Sequence, residues 1–424
     1  MGATASTRKR VAVINQPMDV LLPPHQNSIG IWTYKVAAHL ARRHDVLVIG
    51  KRSSVQRAWG GGDGVRYEFV RPLVPNRMTA RVLDRVLAGT GGDRLPSYAS
   101  RATYLDYAVQ AGLAARRFGA DIVHIHNFSQ FVPTVRRLCP QATIVLHMAC
   151  EWLTQLDRDV IERRLADTDL VIGCSDFITD RVRERFPRHA DRCTTVHNGV
   201  DIDRFTPGEP AVTVGGNARV LFVGRLSPEK GIHDLLDALP KVLAERPDVA
   251  LDLAGPAGAL PREFIVDISD EAEVVELARF YEGPAYLDQL RARLAPDITD
   301  RVRFLGAIPQ DELVELYRLA DVVANPSYSE AFGMSLIEAL ACGTPVVASR
   351  VGGMVDIVGD DGTVGLLHDR GDVDQLAAGL LELLDRRDDR PATVDACRSR
   401  AVEHFGWVRI AESLAEAYDG VGRR

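Results

Sequence analysis

The sequence alternates short runs rich in β-branched residues with helix-length segments, and this alternation occurs twice along the chain. The first series comprises VAVINQ, DVLVIG, DIVHIH, ATIVLH, DLVIGCS and CTTVHNGV, and the second comprises ARVLFVG, VALDLAG, RVRFLG, DVVANPS, PVVASR and GLLHD. Runs without period-two polar alternation are typical of parallel strands that helices cover on both faces. The sequence therefore predicts an α/β protein with two doubly wound parallel sheets.

A Pro/Gly-rich stretch from 207 to 216 separates the two series and predicts a linker. A chain of 424 residues is too long for one ordinary core, so we expect two domains. We place an N-terminal Rossmann-like domain at 1–205, a C-terminal one at 206–402 and a closing helix at 403–424. Ligands of such sheets bind beyond the carboxyl ends of the strands, so functional residues are expected there, in a cleft between the domains.

Composition predicts a soluble globular protein, with 46% hydrophobic and 26% charged residues. No apolar run approaches the roughly 20 residues that a membrane span requires. The N-terminal stretch MGATASTRKRVAVINQP has only a short apolar run, which predicts a first strand rather than a signal peptide. Six scattered cysteines, without a CxxC pair or a His/Cys cluster, suit a reducing compartment. We therefore expect a cytoplasmic protein without disulfides or structural zinc.

The formal net charge of -7 argues against general nucleic-acid binding. A local basic patch stands out against it, with two aspartates and six arginines between 71 and 101: Arg71, Arg77, Arg81, Arg85, Arg94 and Arg101. The interpretation we prefer is a solvated surface. The alternative is a basic amphipathic helix over Met78 to Leu87 that binds an anionic acceptor or a membrane surface.

The stretch VLFVGRLSPEKGI places two cations in one loop between a strand and a helix. Arg225 can bind phosphate oxygens in a bidentate manner, Lys230 supplies a point charge, and the helix start marked by Ser227-Pro228-Glu229 adds backbone N–H groups. This pattern predicts a diphosphate site. The alternative is a loop whose charges face water, since a single motif of this kind is weak.

The stretch SYSEAFGMSLIEALACGTPVVAS carries two glutamates eight positions apart. Phe332, Gly333, Met334 and Ser335 precede or begin a helix, so their N–H groups can receive hydroxyl or phosphate oxygens. A carboxylate at Glu338 can accept hydrogen bonds from both hydroxyls of a ribose. The alternative for Glu338 is a solvated helix face.

Histidines follow or end two strands of the first series. His147 comes at the end of IVLHM, and His124 and His126 lie in DIVHIH. A lone histidine at a strand end is more often structural than catalytic. The pattern by itself gives none of the three a role.

Taken together, GRLSPEKG, E-x-F-G-x-x-x-x-E and ALACGTPVVAS resemble the motifs of the retaining glycosyltransferases of family 4, which have the GT-B fold. HNGVDIDRF resembles the interdomain segment of that family. The similarity extends from about residue 120 to 420. It implies two Rossmann-like domains facing a cleft, with a C-terminal helix that crosses back to the first domain and carries Trp407 as a packing anchor.

The resemblance implies a role for each matching position of the donor site. Arg225 and Lys230 would bind the diphosphate of the donor, Glu338 its ribose, and Glu330 with the backbone of Phe332 to Ser335 its sugar. The backbone from Arg303 to Gly306 would border the base.

On the first domain, the resemblance places His147 near the reacting sugar and Gly30 in a loop that approaches the phosphates. Many family members have paired glycines there, whereas this chain has Asn27-Ser28-Ile29-Gly30. The resemblance thus implies four catalytic candidates: His147, Glu330, Arg225 and Lys230.

The implied reaction is transfer of a sugar from a nucleoside-diphosphate sugar to the hydroxyl of a small-molecule, glycan or lipid acceptor, with retention. The diphosphate would be stabilised by Arg225 and Lys230, so no metal and no cofactor is expected. Asp201 and Asp203 lie in the interdomain segment and receive no metal role. We expect a monomer or a homodimer.

Three alternatives remain beside this transferase. The first is a nucleotide-sugar epimerase of the non-hydrolysing type, which shares the fold, and the second is a non-catalytic nucleotide-sugar-binding subunit. A Rossmann dehydrogenase is disfavoured because no GxGxxG follows the first strand. The acidic insertion from Pro261 to Ala285 has no assigned role.

Overall fold

A computed structural model of the chain describes residues 8–23, 26–53, 56, 64–72, 96–100, 102–208, 217–386 and 390–421. The chain divides into two compact units. Unit 1 comprises Met1–Asn198 and Trp407–Arg424, and unit 2 comprises Gly199–Gly406. Of the predicted arginine patch only Arg71 lies within the described residues, and the predicted helix from Met78 to Leu87 lies outside them.

Unit 1 contains a seven-stranded sheet in which every neighbouring pair is parallel, in the order β3-β2-β1-β4-β5-β6-β7. Its strands are β1 (Arg10–Ile14), β2 (Asp45–Lys51), β3 (Val65–Val70), β4 (Ile122–His126), β5 (Thr143–Met148), β6 (Leu170–Gly173) and β7 (Cys193–Thr195). Its α-helices are α1 (Ser28–Leu40), α2 (Leu105–Phe118), α3 (Val132–Leu138), α4 (Trp152–Gln155), α5 (Arg158–Leu165), α6 (Asp176–Arg185) and, from the end of the chain, α15 (Trp407–Gly420). Short 3-10 turns cover Ser97–Ala99, Ser129–Phe131 and Pro187–Arg192.

Unit 2 contains a six-stranded sheet, again with parallel pairs only, in the order β10-β9-β8-β11-β12-β13. Its strands are β8 (Arg219–Val223), β9 (Ala250–Ala254), β10 (Val302–Gly306), β11 (Val322–Asn325), β12 (Val346–Ser349) and β13 (Gly365–His368). Its α-helices are α7 (Ile232–Glu245), α8 (Ala272–Val275), α9 (Tyr286–Ala292), α10 (Gln310–Leu319), α11 (Met334–Ala341), α12 (Met354–Val358), α13 (Val373–Asp385) and α14 (Arg390–Phe405). Its 3-10 turns cover Pro228–Lys230, Arg262–Phe264, Glu276–Tyr281 and Thr299–Arg301.

Both sheets are buried by helices, as the uniformly apolar runs predict. In unit 1, Val13 and Val48 of the sheet pack in one cluster with Trp32 of α1 and Leu414 of α15. In unit 2, helices α7 and α13 pack together on one core around Leu253 of β9. The prediction of two doubly wound parallel-sheet domains is confirmed.

Strand order reverses once in each sheet. The reversal lies between β1 and β4 in unit 1 and between β8 and β11 in unit 2. At such a switch point the connections on the two sides run in opposite directions, so the loops beyond the strand ends leave a crevice for ligands. The loops that follow β8 and β11 hold Arg225, Lys230 and Glu330, which the sequence singled out, and Glu338 lies in the helix that comes next.

The closing helix begins at Trp407, not at residue 403. Residues up to Phe405 belong to α14, and Gly406 forms a parallel bridge with Val200, whose N–H donates to the Phe405 carbonyl at 2.7 Å. The bridge lies between the end of α14 and the start of α15. The second helix lies in unit 1, where Trp407 is buried among core residues, in agreement with its expected role as a packing anchor.

Within the described residues, no helix combines the length and the apolar character needed to cross a bilayer.

Arg398 of α14 ties together the segment with which unit 2 begins. Its guanidinium donates to the carbonyls of Phe205 (2.7 Å), Ala341 (3.0 Å) and Ile202 (2.7 Å). Charge-assisted bonds of this kind are stronger than neutral ones, and carbonyls left without a donor in a partly buried site destabilise the fold.

We predict that Arg398→Met lowers the free energy of unfolding of unit 2 by about 2–4 kcal/mol, because three carbonyls lose a charged donor. Urea unfolding followed by far-UV circular dichroism measures the change. Glu403→Gln, at an exposed position of the same helix, is the matched control. Equal stability of the two variants would contradict this role.

Candidate functional site

Two loops of unit 2 meet at the switch point of its sheet. The first runs from Gly224 to Gly231 after β8, and the second from Pro326 to Gly333 after β11. Tyr328 N–H of the second donates to the Glu229 carbonyl of the first at 2.8 Å. The loops therefore pack on each other through their backbones.

Glycine makes this close packing attainable at two positions. Gly231 has φ +65°, and a Cβ there would lie 1.9 Å from the Pro326 carbonyl oxygen. Gly352, in the loop after β12, has φ +54°, and a Cβ would lie 1.6 Å from the Glu330 carbonyl oxygen. Any side chain at either position would clash with backbone and would strain a left-handed conformation. These contacts fix the backbone that carries Lys230 and Glu330.

The structure brings Lys230 and Glu330 together. Lys230 Nζ donates to Glu330 Oε2 at 2.6 Å, and the two side chains are only 16% and 19% exposed. The sequence had predicted separate roles for them and gave no sign of a direct contact. The carboxylate thus pairs with the cation that was predicted to bind a phosphate.

The loop after β8 differs locally from the prediction. Ser227-Pro228-Glu229 does not start the α-helix but begins a 3-10 turn, Pro228–Lys230, and α7 starts after Gly231. The Ser227 hydroxyl donates to the buried Glu229 carboxylate and does not cap a helix. Arg225 lies in the same loop, half-buried, and its Nε has no hydrogen-bond partner among the described residues.

Helix α11 begins next to Glu330. Gly333 precedes it with φ +114°, and Phe332 N–H donates to Glu330 Oε1 at 3.4 Å. The N–H groups of the first turn, at Met334 and Ser335, have no acceptor inside the helix. This is the arrangement that the sequence predicted for binding oxygens, and it stays a prediction.

Glu338 is buried in unit 2, so the alternative of a solvated helix face is wrong. Its Oε2 accepts a hydrogen bond from the Tyr317 hydroxyl at 2.8 Å. Burial raises the pKa of Glu338 to about 7, although the bond from Tyr317 opposes the rise. A carboxyl group so placed can serve as an acceptor for hydroxyls when it is deprotonated.

The side chain of Arg303 is already engaged inside unit 2. Its Nε donates to Asp252 Oδ1 at 2.6 Å and its Nη2 to the other oxygen of that carboxylate, on the neighbouring strand β9. Only the backbone of this strand end is left for the base contact that the resemblance implies.

In unit 1, the local packing by itself explains why position 30 is a glycine. Its N–H donates to the Asn27 side chain, the N-cap of α1, at 2.9 Å. A Cβ at Gly30 would lie 2.0 Å from the Val20 carbonyl oxygen. The predicted approach to a phosphate would have to use other groups of this loop or displace the cap.

His147 lies in a fully buried cluster with His124 and His126. His124 and His126 share one face of β4, and His147 pairs with His126 across to β5. His124 Nε2 lies 3.2 Å from His147 Nδ1, and the ring of Trp32 packs on His147 at 4.6 Å between centroids. His147 Nε2 has no partner among the described residues.

Burial governs the protonation of this cluster. It lowers the pKa of His147 to about 3 and the pKa values of His124 and His126 well below 6.5. All three rings are therefore neutral at pH 7. One nitrogen from each lies within 4.8 Å of the others, an arrangement that could accept a transition-metal ion. The spacing of residues in the sequence did not reveal this cluster, because His147 comes from a different strand from His124 and His126.

Sequence reasoning also missed Asp19, in the loop after β1 at the switch point of unit 1. Its buried carboxylate accepts from Asn27 Nδ2 at 2.7 Å and from Gln16 N–H at 3.2 Å. Burial raises the pKa of Asp19 to about 6. The signal in the sequence was only its position, directly after a strand.

Two family models match the chain, one on each half. The model of Glycosyltransferase Family 4 matches residues 29–204, and the model of Glycosyl transferases group 1 matches residues 210–400. Both loops of the unit 2 switch point lie in the second match.

Among curated proteins, the chain is similar to D-inositol 3-phosphate glycosyltransferase 2 of Catenulispora acidiphila. The two are 38% identical over 278 residues, which cover 60% of this chain and 58% of that relative. The match thus spans a little over half of the length of the relative.

Two solved structures share the fold over nearly their whole length. Sucrose-phosphate synthase from Thermosynechococcus elongatus has a TM-score of 0.70 at 22% identity, with 98% of this chain and 99% of that chain covered. HepE of Anabaena in complex with UDP has a TM-score of 0.67 at 21% identity, with 97% and 100% covered. HepE is also solved with UDP-glucose.

We predict that Glu338→Gln stabilises unit 2 above pH 7. A carboxyl whose pKa is raised on folding binds its proton better in the folded state, so stability is lost as pH rises from about 4.5 through 7. At pH 8 this loss is about 3 kcal/mol, and an uncharged amide avoids it. Urea unfolding by far-UV circular dichroism at pH 5 and 8 measures the difference. Glu312→Gln, at an exposed position of α10, is the control, and a stabilisation equal to that of the control would refute the prediction.

We predict that unit 1 loses stability below pH 6.5. Because the pKa values of the three histidines are lowered on folding, the unfolded state binds more protons, and each contributes a loss of about 1.4 kcal/mol per pH unit. Asp19, with its raised pKa, partly offsets this below pH 6. All four tryptophans fall in the range of unit 1, so tryptophan fluorescence follows its unfolding.

The matched variant for this measurement is His147→Gln, which removes one of the three titrating groups. The loss of stability between pH 7.5 and 5 is then expected to shrink by about a third. A pH dependence identical to that of the unaltered protein would show that His147 does not titrate as described.

Proposed function

Because the chain belongs to the glycosyltransferases of the GT-B fold, with one family model on each half, we propose that it transfers a sugar from a nucleoside-diphosphate sugar to an acceptor hydroxyl. We further propose that the reaction retains the anomeric configuration and needs no metal ion. The observation that carries the proposal is the convergence of Arg225, Lys230 and Glu330 on adjoining loops at the switch point of unit 2.

The two cations of the loop after β8 would bind the diphosphate. Arg225 has an unpartnered guanidinium nitrogen in a half-buried position, and Lys230 has a single acidic partner, Glu330, in the described structure. A diphosphate carries more negative charge than one carboxylate and would replace Glu330 as the partner of Lys230. Glu330 would then be released to accept hydrogen bonds from the hydroxyls of the sugar.

Glu338 would hold the ribose through its carboxylate, and the first-turn N–H groups of α11 would face the oxygens of the sugar or the phosphates. UDP is the first nucleotide to test, since HepE, which shares the fold, is solved with UDP and with UDP-glucose. The acceptor is proposed only as a hydroxyl compound.

In the proposed step, the bond between the anomeric carbon and the phosphate oxygen breaks, and a bond to the acceptor oxygen forms on the same face. The acceptor proton passes to the departing phosphate oxygen. Negative charge grows on the leaving diphosphate, so Arg225 and Lys230 would stabilise the transition state more than the ground state. For His147 the resemblance implies a role near the reacting sugar, and that role is part of the proposal.

The chain is proposed to act in the cytoplasm, where its six unbridged cysteines are compatible with reducing conditions. Both family models describe transferases, which favours transfer over the epimerase alternative. A protein that binds the nucleotide sugar without turnover would be recognised in the experiment below.

We predict that UDP binds the unaltered protein and that Lys230→Ala weakens the binding about tenfold to a hundredfold, because a charged hydrogen bond is lost. Glu330→Gln is expected to bind UDP at least as tightly as the unaltered protein, since the lysine is freed, but to lose turnover of the nucleotide sugar. Titration calorimetry and a coupled assay of UDP release measure the two effects.

Lys241→Ala is the control, because this lysine lies in the same unit and pairs with Asp374 at an exposed site. Binding of none of UDP, GDP, ADP and dTDP to the unaltered protein would refute the proposal. Weaker binding of UDP to Glu330→Gln would refute the exchange of partners at Lys230.

A further inference from the structure

The acidic insertion from Pro261 to Ala285 is part of the core of unit 2. It forms the 3-10 turn Arg262–Phe264, helix α8 and the 3-10 turn Glu276–Tyr281. Val274 and Leu277 are buried in the main hydrophobic cluster of the unit. The insertion is therefore an ordered wall that packs on this cluster through a few buried side chains.

This wall is anchored on both sides of Tyr281. The ring of Phe280 packs against His233 of α7 at 4.3 Å between centroids, and the Tyr286 hydroxyl lies 2.7 Å from His233 Nδ1. At the other end, Arg370 in the loop after β13 pairs with Glu271 at 2.5 Å. Tyr281 is thus held in place by its neighbours on either side.

Three buried polar atoms around the loop after β8 have no hydrogen-bond partner among the described residues: Arg225 Nε, Glu229 Oε2 and the Tyr281 hydroxyl. The turn that ends at Tyr281 packs against the turn Pro228–Lys230 of that loop. Buried polar groups in folded proteins almost always have a partner, and leaving one without is destabilising. Arg225 Nε and the Tyr281 hydroxyl are hydrogen-bond donors that an anionic ligand can satisfy, whereas Glu229 Oε2 can only accept. The loop and its wall thus offer two donors for an anion.

The charge environment of Tyr281 suits a donor to an anion. Burial raises the pKa of its hydroxyl, Glu229 adds to the rise and Arg225 opposes it, so the proton stays on the oxygen at any physiological pH. A protonated tyrosine donates one hydrogen bond without adding charge. Phosphate oxygens accept such bonds.

We propose that Tyr281 is a donor-binding residue whose hydroxyl donates a hydrogen bond to the diphosphate beside Arg225. This inference rests on the proposed function and adds the insertion to the site. It assigns the insertion a purpose, which is to add to the diphosphate loop a neutral donor that neither of the two loop motifs supplies.

The competing explanation is a hydrogen bond between two residues of the protein. If the Tyr281 hydroxyl instead bonded to Glu229 within the fold, its removal would lower stability and leave nucleotide affinity unchanged. Tyr286→Phe provides the matched control, because it deletes a hydroxyl of the same insertion region whose partner is His233 in the core.

The experiment compares Tyr281→Phe, Tyr286→Phe and the unaltered protein by titration calorimetry with UDP and by urea unfolding. We expect Tyr281→Phe to weaken UDP binding about tenfold or more, the effect of one hydrogen bond to a charged group. Tyr286→Phe is expected to keep UDP affinity within about twofold while it lowers the urea midpoint.

Two results would overturn the inference, and they differ. If the unaltered protein binds UDP and Tyr281→Phe binds it equally well, Tyr281 is not a donor-binding residue although the proposed function stands. If the unaltered protein binds none of UDP, GDP, ADP and dTDP, the proposed function fails and the inference falls with it.

Discussion

The close approach of backbone to backbone at Gly231 and Gly352 is the constraint on which the unit 2 site depends. At both positions a Cβ would lie less than 2 Å from a carbonyl oxygen of the loop after β11. Three loops from three strands are thereby locked into one layer, and Lys230 and Glu330 are brought within hydrogen-bond distance as a result. Lys230 and Glu330 can lie this close because neither Gly231 nor Gly352 has a side chain that would separate the loops.

The same site contains buried polar groups that lower the stability of the fold. Glu338 is buried, with a pKa raised to about 7, and Arg225 Nε lacks a partner in the described structure. Residues that store an unfavourable interaction of this kind are typical of places where a ligand supplies the missing partner. The three neutral histidines of unit 1 form a second such cluster, and Trp32 packs on all three rings.

Sequence patterns predicted the strands and the two sheets well, because parallel strands buried on both faces leave continuous apolar runs such as VLFV and VVAN. They also predicted which loops carry charge. They could not predict the Lys230–Glu330 pair or the contact of His147 with His124, since both join segments whose distance depends on strand order. The sequence could not show that Ser227-Pro228-Glu229 leads into a 3-10 turn before the α-helix, because Ser227 bonds to Glu229 and not to the helix end. Tyr281 carried no signal, since a tyrosine in an irregular acidic segment matches no motif.

Unit 1 is made from both ends of the described chain, with unit 2 inserted between them. Its core contains Trp407 and Leu414, and the hydroxyl of Tyr418 lies 2.8 Å from His124 Nδ1. On the ribosome, all of unit 2 is therefore synthesised before the first unit has its last helix. Until that helix is made, unit 1 has an incomplete apolar face, although most of its residues were made first. The unit whose synthesis starts first is thus the last to be completed.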